Sequence, residues 1–329
     1  MKGMTMNRRR LMLAGAAGLA LAHGPASAQP AFPSKPIRLV VPYAPGGGAD
    51  LVARALARSM AQTLGQPIVV DNRAGANGNI GLDVVAKSAA DGYTLLMGTA
   101  ATQSINPALY PRLPFDVTRD FTPLGLVATG PHLLVFSPTR FSAVGYADFM
   151  AQAKGAAKLA FASSGSGSTA HLTAELWRDQ VGVAAVHVAY RGTGPALLDV
   201  ISGQVDFMFC PIAAALPFVQ GGKLTAVLVT SAARLPSLPT VPTGVELGMP
   251  NLLAELWYAL YGPAKLPHAV VSVLGSALSR AVSDAEVRQV FAAQALIALP
   301  PDPQALAAQQ RADLLRWTKV VKATGAMAE

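Results

Sequence analysis

The sequence predicts a doubly wound α/β chain in two lobes, on three observations. Short apolar runs of strand length alternate with helical patterns from residue 37 to near the end of the chain. Strand after strand ends in a small, hydrogen-bonding loop, at 42–50, 72–81, 98–103, 163–169 and 190–195. Two proline-rich stretches, 106–120 and 235–250, interrupt the alternation where a chain would cross between lobes.

The leader precedes the fold. Arg8, Arg9 and Arg10 form a basic start, residues 11–22 are apolar, and Ala26-Ser27-Ala28 is a small-residue cleavage site before Gln29. That is the pattern of a signal peptide over 1–28, too short for a membrane span. The Arg-Arg-x-Leu-Met start fits either the general or the twin-arginine route, and the mature protein is expected to be exported and soluble. Removing the leader takes four of the 26 Lys and Arg and none of the 18 Asp and Glu, so the formal +8 falls to +4 (22 − 18). No basic run remains, so nucleic-acid binding has no footprint. Cys210 is the only cysteine, which excludes an intrachain disulfide and a cysteine metal cluster.

In order, residues 37–41 read as the first strand and 50–64 as the first helix, with Asp50 as N-cap and Gly65 as the stop. Residues 67–70 complete a βαβ unit whose crossover should be right-handed. The turn Gly46, Gly47 and Gly48 lets the main chain approach an anion, and the first-turn N–H groups beyond it lack intrahelical partners. Gly75, Ala76, Asn77 and Gly78 make a second such loop before a helix at 82–88, and Thr99, Thr102 and Gln103 a third after the strand at 93–97. In an open parallel sheet these loops share the edge where ligands bind.

Residues 122–128 and 132–136 read as extended segments split by Gly130-Pro131, the crossing into a second lobe. Its strands fall at 158–162, 185–189, 205–209 and 224–230, its helices at 148–154, near 169–177, 196–202 and 213–220. The remainder gives a strand at 256–262 and helices at 267–283, 284–293 and 304–322. The lobes are therefore expected at 29–130 with 232–329, and at 131–231.

Catalytic readings fare poorly. Gly165-x-Gly167-x-x-Ala170 fits a dinucleotide fingerprint, but no acid follows at the end of the next strand, which reads Ala189-Tyr190-Arg191. A G-x-S-x-G elbow fails because Ser164 stands at the first glycine position. An exported hydrolase using Ser166 or Ser168 with His171 stays open as an alternative. The mature histidines (132, 171, 187 and 268) are scattered in sequence and suggest no metal. Tyr43 and Tyr190 could wall a ligand. Backbone donors, hydroxyls and aromatics without a base or metal describe a binding site.

The residues also resemble a known family. Its marks are Pro-Tyr-x-Pro-Gly-Gly-Gly-x-Asp (42–50), Asn-Arg-x-Gly-Ala-x-Gly-x-x-Gly (72–81), Asp-Gly-Tyr-Thr-Leu-Leu (91–96) and Asn-Pro-x-Leu-Tyr (106–110). Further on come Asp-Phe-Thr-Pro-x-x-Leu-Val-Ala (120–128), Gly-Ser-Gly-Ser-Thr-Ala-His-Leu (165–172), Tyr-Arg-Gly-x-x-Pro-Ala (190–196), Gly-Gln-Val-Asp (203–206), Val-Thr-Ser-x-x-Arg (229–234) and Val-Pro-Thr (241–243). In this order they make the mature chain similar to the Bug/TctC receptors, the periplasmic substrate-binding proteins of tripartite tricarboxylate transporters. The resemblance implies a two-lobed, type II periplasmic-binding-protein fold that closes on a small organic carboxylate, without a cofactor. It also implies membrane transporter components as partners and a monomeric receptor; a lobe pair serving as a sensor for a signalling kinase is the other option. By position it assigns ligand contacts to Tyr43, Gly46, Gly47, Gly48, Gly75, Ala76, Asn77, Gly78, Thr99, Thr102 and Gln103 in lobe one. In lobe two it assigns Ser166, Gly167, Ser168, His171, Tyr190, Arg191 and Cys210. Cys210 stands where such receptors commonly carry Asp, and Glu255 where a small residue is usual, so both positions are expected to bear on selectivity.

Overall fold

The computed structural model describes residues 32–190 and 192–325. The leader and Arg191, with everything expected of them, lie outside the described residues.

The first βαβ unit forms as expected: β1 (Ile37–Val41) pairs in parallel with β2 (Ile68–Asn72) across α1 (Gly48–Leu64). The helix begins earlier than predicted. Gly46 takes φ +85°, in the left-handed region that favours glycine, and the chain turns into helix with Gly47, not Asp50, at the N-cap. Asp50 is the third helical residue. Its carboxylate folds back to accept from the Gly46 N–H (2.9 Å), Arg54 Nε (2.9 Å) and Asn72 Nδ2 (3.0 Å). Gly65, at φ +65°, closes α1 as expected.

After α2 (Asn79–Ala86), β3 (Thr94–Thr99) adds to the other side of β1, and β9 (Glu255–Pro263) pairs antiparallel with β3. The next strand, β4, is continuous from Phe121 to Phe136, so the expected break at Gly130-Pro131 is corrected. Proline is tolerated there because the strand changes partners beside it. Residues 121–131 run against β9, while 132–136 run against β7 (Phe207–Pro211) and 133–136 against β8 (Thr225–Val229). The strand order is β2-β1-β3-β9-β4-β7-β5-β6, with β8 and the short β10 (Ile297–Ala298) also on β4. β5 (Ala160–Ser163) lies in parallel between β6 (Val186–Ala189) and β7. One strand thus belongs to both half-sheets.

The other helices are α3 (Asn106–Leu109), α4 (Tyr146–Gly155), α5 (Thr169–Val181), α6 (Thr193–Ser202), α7 (Ile212–Gln220), α8 (His268–Ser283), α9 (Ala285–Ala293) and α10 (Pro303–Thr324). Strand alternation sorts the core. Ile37, Leu39 and Val41 pack with Leu56 of α1 and Leu274 of α8, while Val40 and Leu96 pack on the other face with Leu82, Trp257 and Leu306. In the second half-sheet Phe207 and Phe209 meet Phe149 and Trp177. Met208 and Cys210 face the opposite way, toward Ala196, Val200 and Ala215. A separate cluster joins Ile105 and Leu109 to Leu172 through Trp317, Val320 and Val321, so α10 braces both halves from one side.

Candidate ligand-binding cleft

The C-terminal ends of β1 and β3 and of β6 and β7 open on one cleft. Its main chamber, about 550 Å3, is walled on one side by Tyr43, the turn through Gly47 and Gly48, Thr99 and Tyr258, and on the other by Gly192 and Thr193. A smaller chamber of about 260 Å3 adjoins it; Gly48, Thr193, Leu256 and Tyr258 line both.

Each wall is built by local sequence. Tyr43 follows the strand end, and its hydroxyl meets Thr99 Oγ1 at 3.0 Å; burial pushes the phenol up to about 12. Thr99 also faces Tyr258 across the β3–β9 pairing. Thr102 is fully buried and its Oγ1 accepts from the Thr99 N–H (3.0 Å), closing the loop after β3. Gly48 opens α1 and Thr193 opens α6, so two helix N-termini from opposite sides meet the main chamber. Neither N-cap residue, Gly47 or Gly192, has a side chain to satisfy the first-turn N–H groups. No lysine or arginine is among the described residues lining either chamber. Among the described lining, the first-turn peptide dipoles supply the positive potential that suits an anion.

The remaining expected residues have other surroundings. Gly75, Ala76 and Asn77 are exposed in a single turn beside the cleft, held by Asn77 Nδ2 donating to Asn106 Oδ1 (2.8 Å). A Cβ at Gly78 would strike Thr102 and Pro42, so that glycine serves close packing. Gln103 points into the first half's interior, where its Oε1 accepts from Gln310 Nε2 (3.2 Å). Gly167 lies against Leu109, and Ser168 caps α5 by accepting the His171 N–H (3.2 Å). The ring of His171 accepts the Gly167 N–H at Nδ1 (3.0 Å) and faces Glu175 with Nε2 (3.6 Å). The Tyr190 hydroxyl donates to Asp199 (2.6 Å); burial and that carboxylate raise its pKa to about 12.

Cys210 is a correction. It is wholly buried in the apolar cluster beneath α6 and α7, presents no surface to the cleft, and burial raises its thiol pKa. Glu255 likewise sits beside Thr129, whose Oγ1 donates to it (2.6 Å), on the strand face away from the main chamber. Two histidines scattered in sequence come together: His171 and His187 stack with centroids 3.7 Å apart. Among the described residues no group of three His, Cys, Asp or Glu could hold a metal.

Sequence reasoning missed Thr193, Leu256, Tyr258 and Gln294. The signal for Leu256 and Tyr258 was the period of two in β9, which turns both toward the side opposite Glu255 and Trp257. That β9 borders β3 is a tertiary fact no local pattern reveals.

These features define a two-lobed solute-binding receptor of the periplasmic type, with its ligand cleft between the halves. The profile of the tripartite tricarboxylate transporter family receptors matches residues 52–326, and the chain belongs to that family. BugT of Bordetella pertussis is 37% identical over 300 residues, covering 90% of this chain and 91% of that one. MatC of Rhodopseudomonas palustris, solved with bound malate, superposes with a TM-score of 0.75 at 34% identity, over 88% of this chain and 100% of that one. A second R. palustris protein, solved with adipate, gives a TM-score of 0.77 at 31% identity, over 90% of this chain and 99% of that one. Members of the family are periplasmic receptors.

Proposed function

We propose that this protein captures a small organic carboxylate in the cleft and delivers it to the membrane components of a tripartite transporter. The observation that carries the reading is the meeting of two uncapped helix N-termini, at Gly48 and Thr193, in one chamber with no lysine or arginine among its described lining. The malate and adipate of the two solved relatives support it. A ligand touching both sides stabilises the closed form by its extra affinity for that form. The lobes are 29–130 with 232–329, and 131–231, joined through β4; the receptor acts as a monomer in the periplasm after cleavage behind Ala28. It acts without turnover, a reading supported by His171, whose ring nitrogens engage Gly167 and Glu175.

Mass spectrometry of ligand released from natively purified protein, backed by a thermal-shift screen of carboxylates, tests this. A carboxylate that raises the melting temperature is expected. A screen with no carboxylate response would overturn the reading, and ester turnover lost in Ser168→Ala would replace it with a hydrolase.

A further inference from the structure

The smaller chamber carries information that the main one does not. Its walls include Pro211, Ile212, Leu256 and Leu296, yet beside Thr193 two larger polar side chains, Tyr258 and Gln294, are placed there. Tyr258 is 5% exposed, and among the described residues its hydroxyl makes no hydrogen bond, though it faces both chambers. Gln294 has its Nε2 buried without a partner. Both groups flank the same glycine: a Cβ built on Gly48 would lie 2.5 Å from the Tyr258 hydroxyl and 3.3 Å from Gln294 Oε1.

A buried amide N–H without a partner is costly, since it loses hydration without gaining a bond, and this is the state of Gln294 Nε2. Gln294 is moreover held in place. It ends α9 and is followed by Ala295 at φ +48°, a conformation alanine adopts only under constraint from its surroundings. An unpartnered amide next to a cleft-facing hydroxyl in one recess points to something bound there.

We propose that Tyr258 and Gln294 are the specificity-determining pair of this cleft. Tyr258 donates to an oxygen acceptor at the far end of a ligand whose carboxylate lies in the main chamber. A half-turn of the Gln294 amide, which no hydrogen bond holds among the described residues, brings its N–H from the buried side to the Gly48 junction beside that acceptor. The proposal rests on the carboxylate reading above. It adds that the ligand has an apolar middle, lying along Leu256, and a second oxygen-bearing end. That end is either an uncharged carbonyl or a second carboxylate; both accept hydrogen bonds, and titration separates them.

Isothermal titration with pentanoate, levulinate and glutarate distinguishes the possibilities, because the three share a chain length and differ at the far end. The wild type should bind levulinate or glutarate roughly tenfold more tightly than pentanoate, the worth of one well-made hydrogen bond. Gln294→Leu and Tyr258→Phe should each bring the levulinate and glutarate affinities down toward that of pentanoate, shrinking the preference several-fold. Melting temperatures of the unliganded variants close to wild type establish that the fold is intact. Equal affinity for all three compounds, or a preference that survives in both variants, overturns the proposal and leaves the carboxylate reading standing. Failure of all three compounds, together with an empty carboxylate screen, removes both.

Discussion

At Gly48 the absence of a side chain decides what the cleft can do. A methyl group there would drive into the Tyr258 hydroxyl and narrow both chambers at their junction. Gly48→Ala should therefore weaken carboxylate binding at least tenfold, about 1.4 kcal/mol, by titration calorimetry; unchanged affinity would displace the ligand from this junction. Asp50 acts one step behind. Burial would raise its pKa, but bonds from Arg54, the Gly46 N–H and Asn72 outweigh burial and lower it. Its folded pKa is thus depressed, so its stabilisation is complete above the unfolded value of about 3.9 and is lost as pH falls through the folded one. Asp50→Asn should cost about 2 kcal/mol at neutral pH, with the gap to wild type closing in acid, as read by urea unfolding. The sequence marked Asp50 as a cap because spacing identifies an acid near a helix start. Which donors the carboxylate faces depends on the glycine turn bending before it, and on Asn72 from another strand.

Among elements, β4 and β9 carry most of what a local reading could not supply. Each was recognised as extended, but the role of each depends on its neighbours. β9 brings Tyr258 to Thr99, and β4 carries His132 to the crossing between half-sheets. His132 is wholly buried, with Nδ1 3.1 Å from the Ala254 carbonyl and Nε2 3.2 Å from Thr169 Oγ1. Its ring therefore joins β4 to the start of α5 and to the segment entering β9. Burial lowers its pKa to about 4. The neutral ring is the folded form, so the stabilisation is full above the unfolded pKa of about 6.5 and declines as pH falls toward 4. This group should add a slope of about 1.4 kcal/mol per pH unit across that window. His132→Gln should remove that part of the slope; an unaltered pH–stability profile would count against a neutral, buried His132.

Over the whole molecule, the alternation of strands and helices, the five small loops and the family marks made the two-lobed class readable from residues alone. The site was readable only in part. The glycine turn, Tyr43 and Thr99 line the main chamber, as the loop positions implied. Gln103 and Cys210 turn inward instead, because facing within a strand or wide turn depends on register against neighbours. Thr193, Tyr258 and Gln294 come from three separate segments, and only the folded arrangement of α6, β9 and α9 assembles them.

The shared strand also bears on how the molecule comes apart. Two cores would ordinarily melt as two units joined by a tether, each with its own midpoint. Here β4 is a structural member of both, so unfolding either half strips one edge of the other and leaves its ladder groups unpaired. Scanning calorimetry of the unliganded protein should give one endotherm, with calorimetric and van't Hoff enthalpies in agreement. Two resolved peaks would mean the halves are thermodynamically separable. Single-step melting would also leave no populated form with one lobe intact, so folding becomes an all-or-none commitment for both halves together.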